Sequence, residues 1–243
     1  MTSLSSRQVA LVVLVFISLA SSAVAIDLQY GSKVKQGDSD EGRALSPFYY
    51  APQFAFLDIN HPNGIPDLDE PVYLHINPMV FRVSKNDVRI TAFGDNSSPY
   101  YPAGSKVKVN DTGDYDRELK IFGTGRIPVA ELMYLDLNGT RTYSIDDPVY
   151  LEFNHDCFVT PGDVRITGYG NYSAGSRVTA RDGDRYIHMP TSTLPGMLCF
   201  YNADGEINNR GWAVYGTEDS IYIDTQYPFY TVTPNDVRMN RSA

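Results

Sequence analysis

Four short stretches set the rhythm of this chain. VYLHI from Val72, VYLEF from Val149, IYIDT from Ile221 and FYTVT from Phe229 are rich in β-branched and aromatic residues and alternate along their length. Alternation with a period of two sends successive side chains to opposite faces of a strand. Gly, Pro, Asn and Asp break the runs every several residues. Pro99, Pro102, Gly104, Gly168, Gly170 and Gly175 punctuate them, and Asn63-Gly64 and Asn138-Gly139 are the clearest tight-turn signals. Beyond residue 25 no window sustains apolar spacing at three and four positions, so the expected fold is all-β.

The pattern repeats. DDPVYL followed by DVRIT runs from Asp146 to Thr167, EPVYL followed by DVRIT from Glu70 to Thr91, and EDSIYI followed by DVRM from Glu218 to Met239. Asp87 to Asp163 is 76 positions and Asp163 to Asp236 is 73. The spacing predicts tandem β repeats of about 70–76 residues, β-sandwich-like or in stacked antiparallel sheets. Each unit opens on an aromatic and a polar loop. It continues through the PVYL strand, DVRIT and a Gly-aromatic turn, and ends in a GSKV strand with acidic turn residues. The expected divisions are an N-terminal half repeat over 26–52, full repeats over 53–130 and 131–198, and a C-terminal half repeat over 199–243.

The half repeats are complementary. YGSKVKQGDSDEGRAL, from Tyr30, matches the back half of a unit as it stands from Ala103 and from Ala174, whereas the C-terminal segment stops after DVRM, a front half. A front half without its back half leaves a strand edge unpaired. Either the N-terminal piece completes the last unit of its own chain, or it completes that of the next molecule and builds a polymer by strand addition. The pattern leaves both open.

Residues 1–25 have the form of a secretory signal peptide, with Arg7 in a positive leader, an apolar run from Val9 to Ala20 and a small-residue site at Ala23-Val24-Ala25. The expected mature chain begins near Ile26, is exported to the extracellular space or cell envelope, and has no membrane span after cleavage. Loss of Arg7 leaves 19 basic against 29 acidic residues, a net charge of −10, which argues against nucleic acid as a partner. Most acidic residues sit beside Gly, Asn or Pro and read as solvated turns. Cys157 and Cys199 are the only cysteines, and export favours a disulfide, internal or between neighbouring molecules.

Candidate chemistry is sparse. His61, His75, His155 and His188 stand in no metal-ligand spacing, and no nucleophile motif or phosphate loop is present, so no catalytic residue is expected. The paired carboxylates Asp146 and Asp147 suit glycoside hydrolysis, but the pair recurs as Asp69-Glu70 and Glu218-Asp219, which favours a structural role. No cofactor is expected, with calcium the one possibility. Asp58, Asn60, Asn63, Asp67, Asp69 and Glu70 in one opening loop, and Asp136, Asn138 and Asp146 in another, are hard oxygen donors. Pro62 and Thr140 break the known loop pattern, and Asn and Asp are also ordinary turn formers. Arg89, Arg165 and Arg238 follow Asp87, Asp163 and Asp236 by two positions, on one strand face, where they pair, form part of a charge ladder across stacked units, or project into solvent. Asn96, Asn110, Asn138, Asn171 and Asn240 are glycosylation sequons.

On DDPVYL, DVRIT and the export signal, the mature chain resembles the small major sheath proteins of filamentous methanogenic archaea, whose tubular sheaths are amyloid-like cross-β protein. The resemblance implies a homopolymer with no catalytic residues: a structural envelope subunit that self-assembles through β-strand edges into hoops, tubes or fibrils. The alternative is a secreted calcium- or carbohydrate-binding β module.

Overall fold

A computed structural model describes residues 29–59, 63–94, 99–124, 129–153, 158–184, 194, 196–226 and 230–240. Its elements are β1 (Ser46–Pro47), β2 (Gln53–Phe56), β3 (Val72–His75), β4 (Val88–Arg89), β5 (Lys120–Ile121), β6 (Glu131–Tyr134), β7 (Val149–Glu152), β8 (Val164–Arg165), β9 (Met197–Tyr201), β10 (Ser220–Asp224) and β11 (Val237–Arg238). The protein is all-β. The strands form three antiparallel sheets, ordered β4-β3-β2-β5, β6-β7-β8 and β1-β9-β10-β11.

Strand alternation divides each sheet between two cores. In β2 and β3, Phe54, Phe56, Val72 and Leu74 face a central cluster, while Ala55, Leu57 and Tyr73 face an outer one. Val149 and Leu151 of β7 join the central cluster and Tyr150 an outer one. Ile221 and Ile223 of β10 do likewise, with Tyr222 outside. One shared core therefore holds the inner faces of all three sheets, and each outer face has its own cluster beneath the GSKV segment, whose Val107, Val178 and Val34 are buried there.

The two half repeats join within one chain. The amide of Val34 donates to the Asp236 carbonyl at 2.8 Å, Leu45 donates to Tyr230 at 2.8 Å, and Lys33 and Ala44 bridge antiparallel to Val237 and Thr231. Within this chain, the segment from Lys33 to Leu45 covers the edge from Tyr230 to Val237.

Glycines mark where the three units meet. Gly31, Gly104 and Gly175 all have positive φ, and a Cβ on them would lie 2.3 Å from the Ile166 carbonyl oxygen, 2.2 Å from the Tyr30 Cβ and 2.3 Å from the Ala103 Cβ respectively. Only glycine permits both the backbone and the approach. Tyr30 is buried at this junction and its hydroxyl donates to the Ile90 carbonyl at 3.0 Å.

Candidate functional site

The recurring charges are interior. The Arg89 Nε and Nη2 donate to both oxygens of Asp114 at 2.8 Å, and Nη2 also reaches Asp111 at 2.7 Å. Arg165 makes the same fork with Asp184 and Asp182, and Arg238 with Asp40 and Asp38. Tyr73, Tyr150 and Tyr222 donate their hydroxyls to the same buried carboxylates, Asp114, Asp184 and Asp40. Arg89 and Arg165 also lie over the rings of Tyr101 and Tyr172, each at 4.1 Å. Burial works against ionisation of Asp40, but the hydrogen bonds from Arg238 and Tyr222 outweigh it and hold this carboxyl below its usual range. Two expectations are thereby corrected. The arginines neither pair with the aspartates two residues before them nor face solvent, and the acidic turns after GSKV supply buried anions.

Asp87, Asp163 and Asp236 cap turns instead. Asp87 accepts from the amides of Ile76 and Ser84, Asp163 from Thr160, and Asp236 from Thr225 and Thr233. The residue before each cap, Asn86, Gly162 or Asn235, has positive φ, a position suited to Asn and Gly. Glu70, Asp147 and Asp219 cap the opening loops in a matching way, through Ile59 and Asp67, Leu137 and Ser144, and Ala203 and Gly216. The carboxylate pairs considered for hydrolysis are thus split in each unit. Asp69, Asp146 and Glu218 are exposed, while their neighbours are buried caps.

A third set of contacts crosses between units, made by the basic residue of each GSKV segment. Lys106 Nζ donates to the carbonyls of Gly216, Thr217 and Asp219, and Lys33 Nζ to those of Ser144, Ile145 and Asp147. Arg177, at the corresponding place, donates to the Glu70 and Gly162 carbonyls at 2.6 and 2.8 Å. The first unit clasps the third, the third the second, and the second the first.

The expected calcium donors are mostly engaged in their own turns. Asp136 accepts from the amides of Thr140 and Arg141, Asn138 from Thr140, and Asp58 from Gly64 at 2.8 Å. Asn63 reaches Asp67 through its side-chain amide at 3.3 Å, and Asp69 and Asp146 are exposed. Asn60 lies outside the described residues. Among those described, no group of three or more His, Cys, Asp or Glu converges as a metal site.

Cys199 is a free thiol, buried against Val34, Leu45, Tyr222 and Val232, and burial pushes its pKa up to about 12. A bond from it to another molecule requires the sheet to open. Its expected partner Cys157 lies outside the described residues, as do His61, His155, His188 and Asn96. Asn110, Asn138 and Asn171 are exposed, in keeping with glycan acceptors. Asn240 is buried, its oxygen accepting from the Ile221 amide and its nitrogen donating to the Asp219 carbonyl, so its amide is committed to the fold.

Compared with known proteins, the chain matches no family, and neither a curated protein nor a solved structure is similar to it. Among the described residues no helix is long and apolar enough to cross a membrane.

Proposed function

We propose that the protein is a structural subunit of an extracellular sheath or envelope layer, associating with copies of itself. The observation that carries this reading is an exposed apolar turn. Met79, Val80 and Phe81 follow one another in the loop after β3 with exposures of 72%, 40% and 61%. Consecutive apolar residues in water are unfavourable unless something covers them. The use of every recurring arginine and acidic cap inside the fold supports the same reading, since these residues build a rigid block. Assembly by apolar contact is favoured over addition at strand edges, because β1 carries Pro47 and β5 carries Lys120 beside Glu118 at the sheet margins, residues that discourage edge pairing.

The test is negative-stain microscopy and light scattering of the chain from Ile26 onward. Hoops, tubes or fibres that are lost in a Met79→Ser/Phe81→Ser double variant of unchanged melting temperature are the expected result. A protein that stays monomeric as its concentration is raised overturns the reading.

A further inference from the structure

What recurs in all three units serves the fold, so a feature found in one unit only is where a separate activity is to be sought. Among the described residues, the opening loops of the first two units are closed by the Glu70 and Asp147 caps and carry no β-bridge. In the third unit the corresponding loop rises as a hairpin: Ile207 bridges Ala213, Val214 donates to the Glu206 carbonyl at 3.0 Å, and Asn208 donates to the Trp212 carbonyl at 2.8 Å. The hairpin leans on the segment that follows β1. Tyr49 meets Trp212 edge to face at 5.7 Å and Tyr50 at 4.6 Å, and the Arg210 guanidinium donates to the Tyr49 hydroxyl at 3.3 Å. All three rings remain about half exposed, at 50–52%. Between hairpin and segment lies a half-open pocket of about 260 Å³, walled by Phe48, Tyr49 and Tyr50, floored by Phe200 and Tyr215, and edged by Asn208.

We propose that this pocket, with Trp212 at its side, binds one pyranose ring of a neutral saccharide. The rings are held in place by one another and by Arg210, so little ordering remains to oppose binding. Aromatic faces suit the C–H face of a sugar, and the lining supplies what its hydroxyls need in the amide of Asn208 and the hydroxyl of Tyr49, with the Arg210 guanidinium beside the latter. Tyr215, in the pocket lining, keeps a buried hydroxyl with no hydrogen-bond partner among the described residues, a polar group left over by the fold. The Arg210 cation beside Tyr49 disfavours a quaternary ammonium ligand, which aromatic rings otherwise attract, and the polar groups of Asn208 and Tyr49 disfavour a purely apolar one. The inference does not depend on self-assembly.

Trp212 is the single tryptophan of the chain, so its fluorescence reads this site directly. The chain from Ile26 onward is titrated through the millimolar range with the methyl glycosides of glucose, galactose, mannose and N-acetylglucosamine, and with cello- and chito-oligosaccharides. A saturable change in emission with at least one of them, weakened tenfold or more in Tyr50→Ala, is expected. Calorimetry on Trp212→Ala should show the same loss, with the melting temperature unchanged in both variants. No saturable response to any sugar, a response only to choline, or binding that survives both substitutions would overturn the proposal. None of these outcomes bears on assembly, which is scored separately by microscopy.

Discussion

A buried guanidinium cannot be left alone. Arg165 is fully enclosed, as is Asp184, and the pair is stable only because both carboxylate oxygens, Asp182 and the Tyr150 hydroxyl complete a closed set of hydrogen bonds. Removing one partner strands the other charge away from water. Asp184→Ala should therefore cost about 3–5 kcal/mol in chemical denaturation, far above the 0–1 kcal/mol of a surface pair. A loss below about 1 kcal/mol would show that water reaches the site.

His75 gives the first unit a pH dependence of its own. His75 occupies the place held by Glu152 and Asp224 in the neighbouring units, and bonds Asp87 at 2.9 Å with both side chains buried. Burial alone lowers the imidazole pKa, but the hydrogen bond and charge of Asp87, with the carbonyl of Val80, outweigh it and leave it raised. A raised pKa in the folded state means that the contribution is complete below the unfolded value of about 6.5. It is lost as pH climbs through the folded value. The melting temperature should thus fall more steeply above pH 6.5 in the native sequence than in His75→Gln. Parallel slopes would assign the dependence to other groups.

At the scale of elements, the strands were legible in the sequence because alternation reports directly on which faces are apolar. Val72, Val149 and Ile221 face the same core for the reason that makes their motifs look alike. The ion clusters were not legible. Arg89 finds Asp114 25 residues further along, in a turn whose Gly and Asp read as solvated. Lys33, Lys106 and Arg177 recur at one place in the GSKV segments, but their acceptors are backbone carbonyls, to which side-chain identity gives no clue. The N-terminal segment was legible as a back half, but which edge it joins is set by chain geometry. Deleting residues 26–45 removes Asp38 and Asp40 from Arg238 and takes Val34 and Leu45 from their cluster. Loss of Val34 and Leu45 alone is worth about 1.5–3 kcal/mol each. The truncated chain should melt far lower, and a synthetic Tyr30–Leu45 peptide added in excess should restore much of the loss. An unaffected melting temperature would mean that the closure contributes nothing.

For the molecule as a whole, closure of the third unit has a consequence in time. Arg238 meets Asp40 across 198 residues and Ser32 across 206, so the last unit cannot form until nearly the whole chain has been made. Contacts of such separation form late, because the ends of a long segment must first find each other. Throughout that wait the beginning of the chain is a loose strand and its destination an open edge. In dilute solution each chain reaches its own edge first. At high concentration a neighbour's segment competes for the same edge. Refolding the Met79→Ser/Phe81→Ser variant at high concentration should therefore yield dimers and larger species by size-exclusion chromatography that concentrating the same variant after folding does not; equal profiles from both routes would show that each chain always closes on itself.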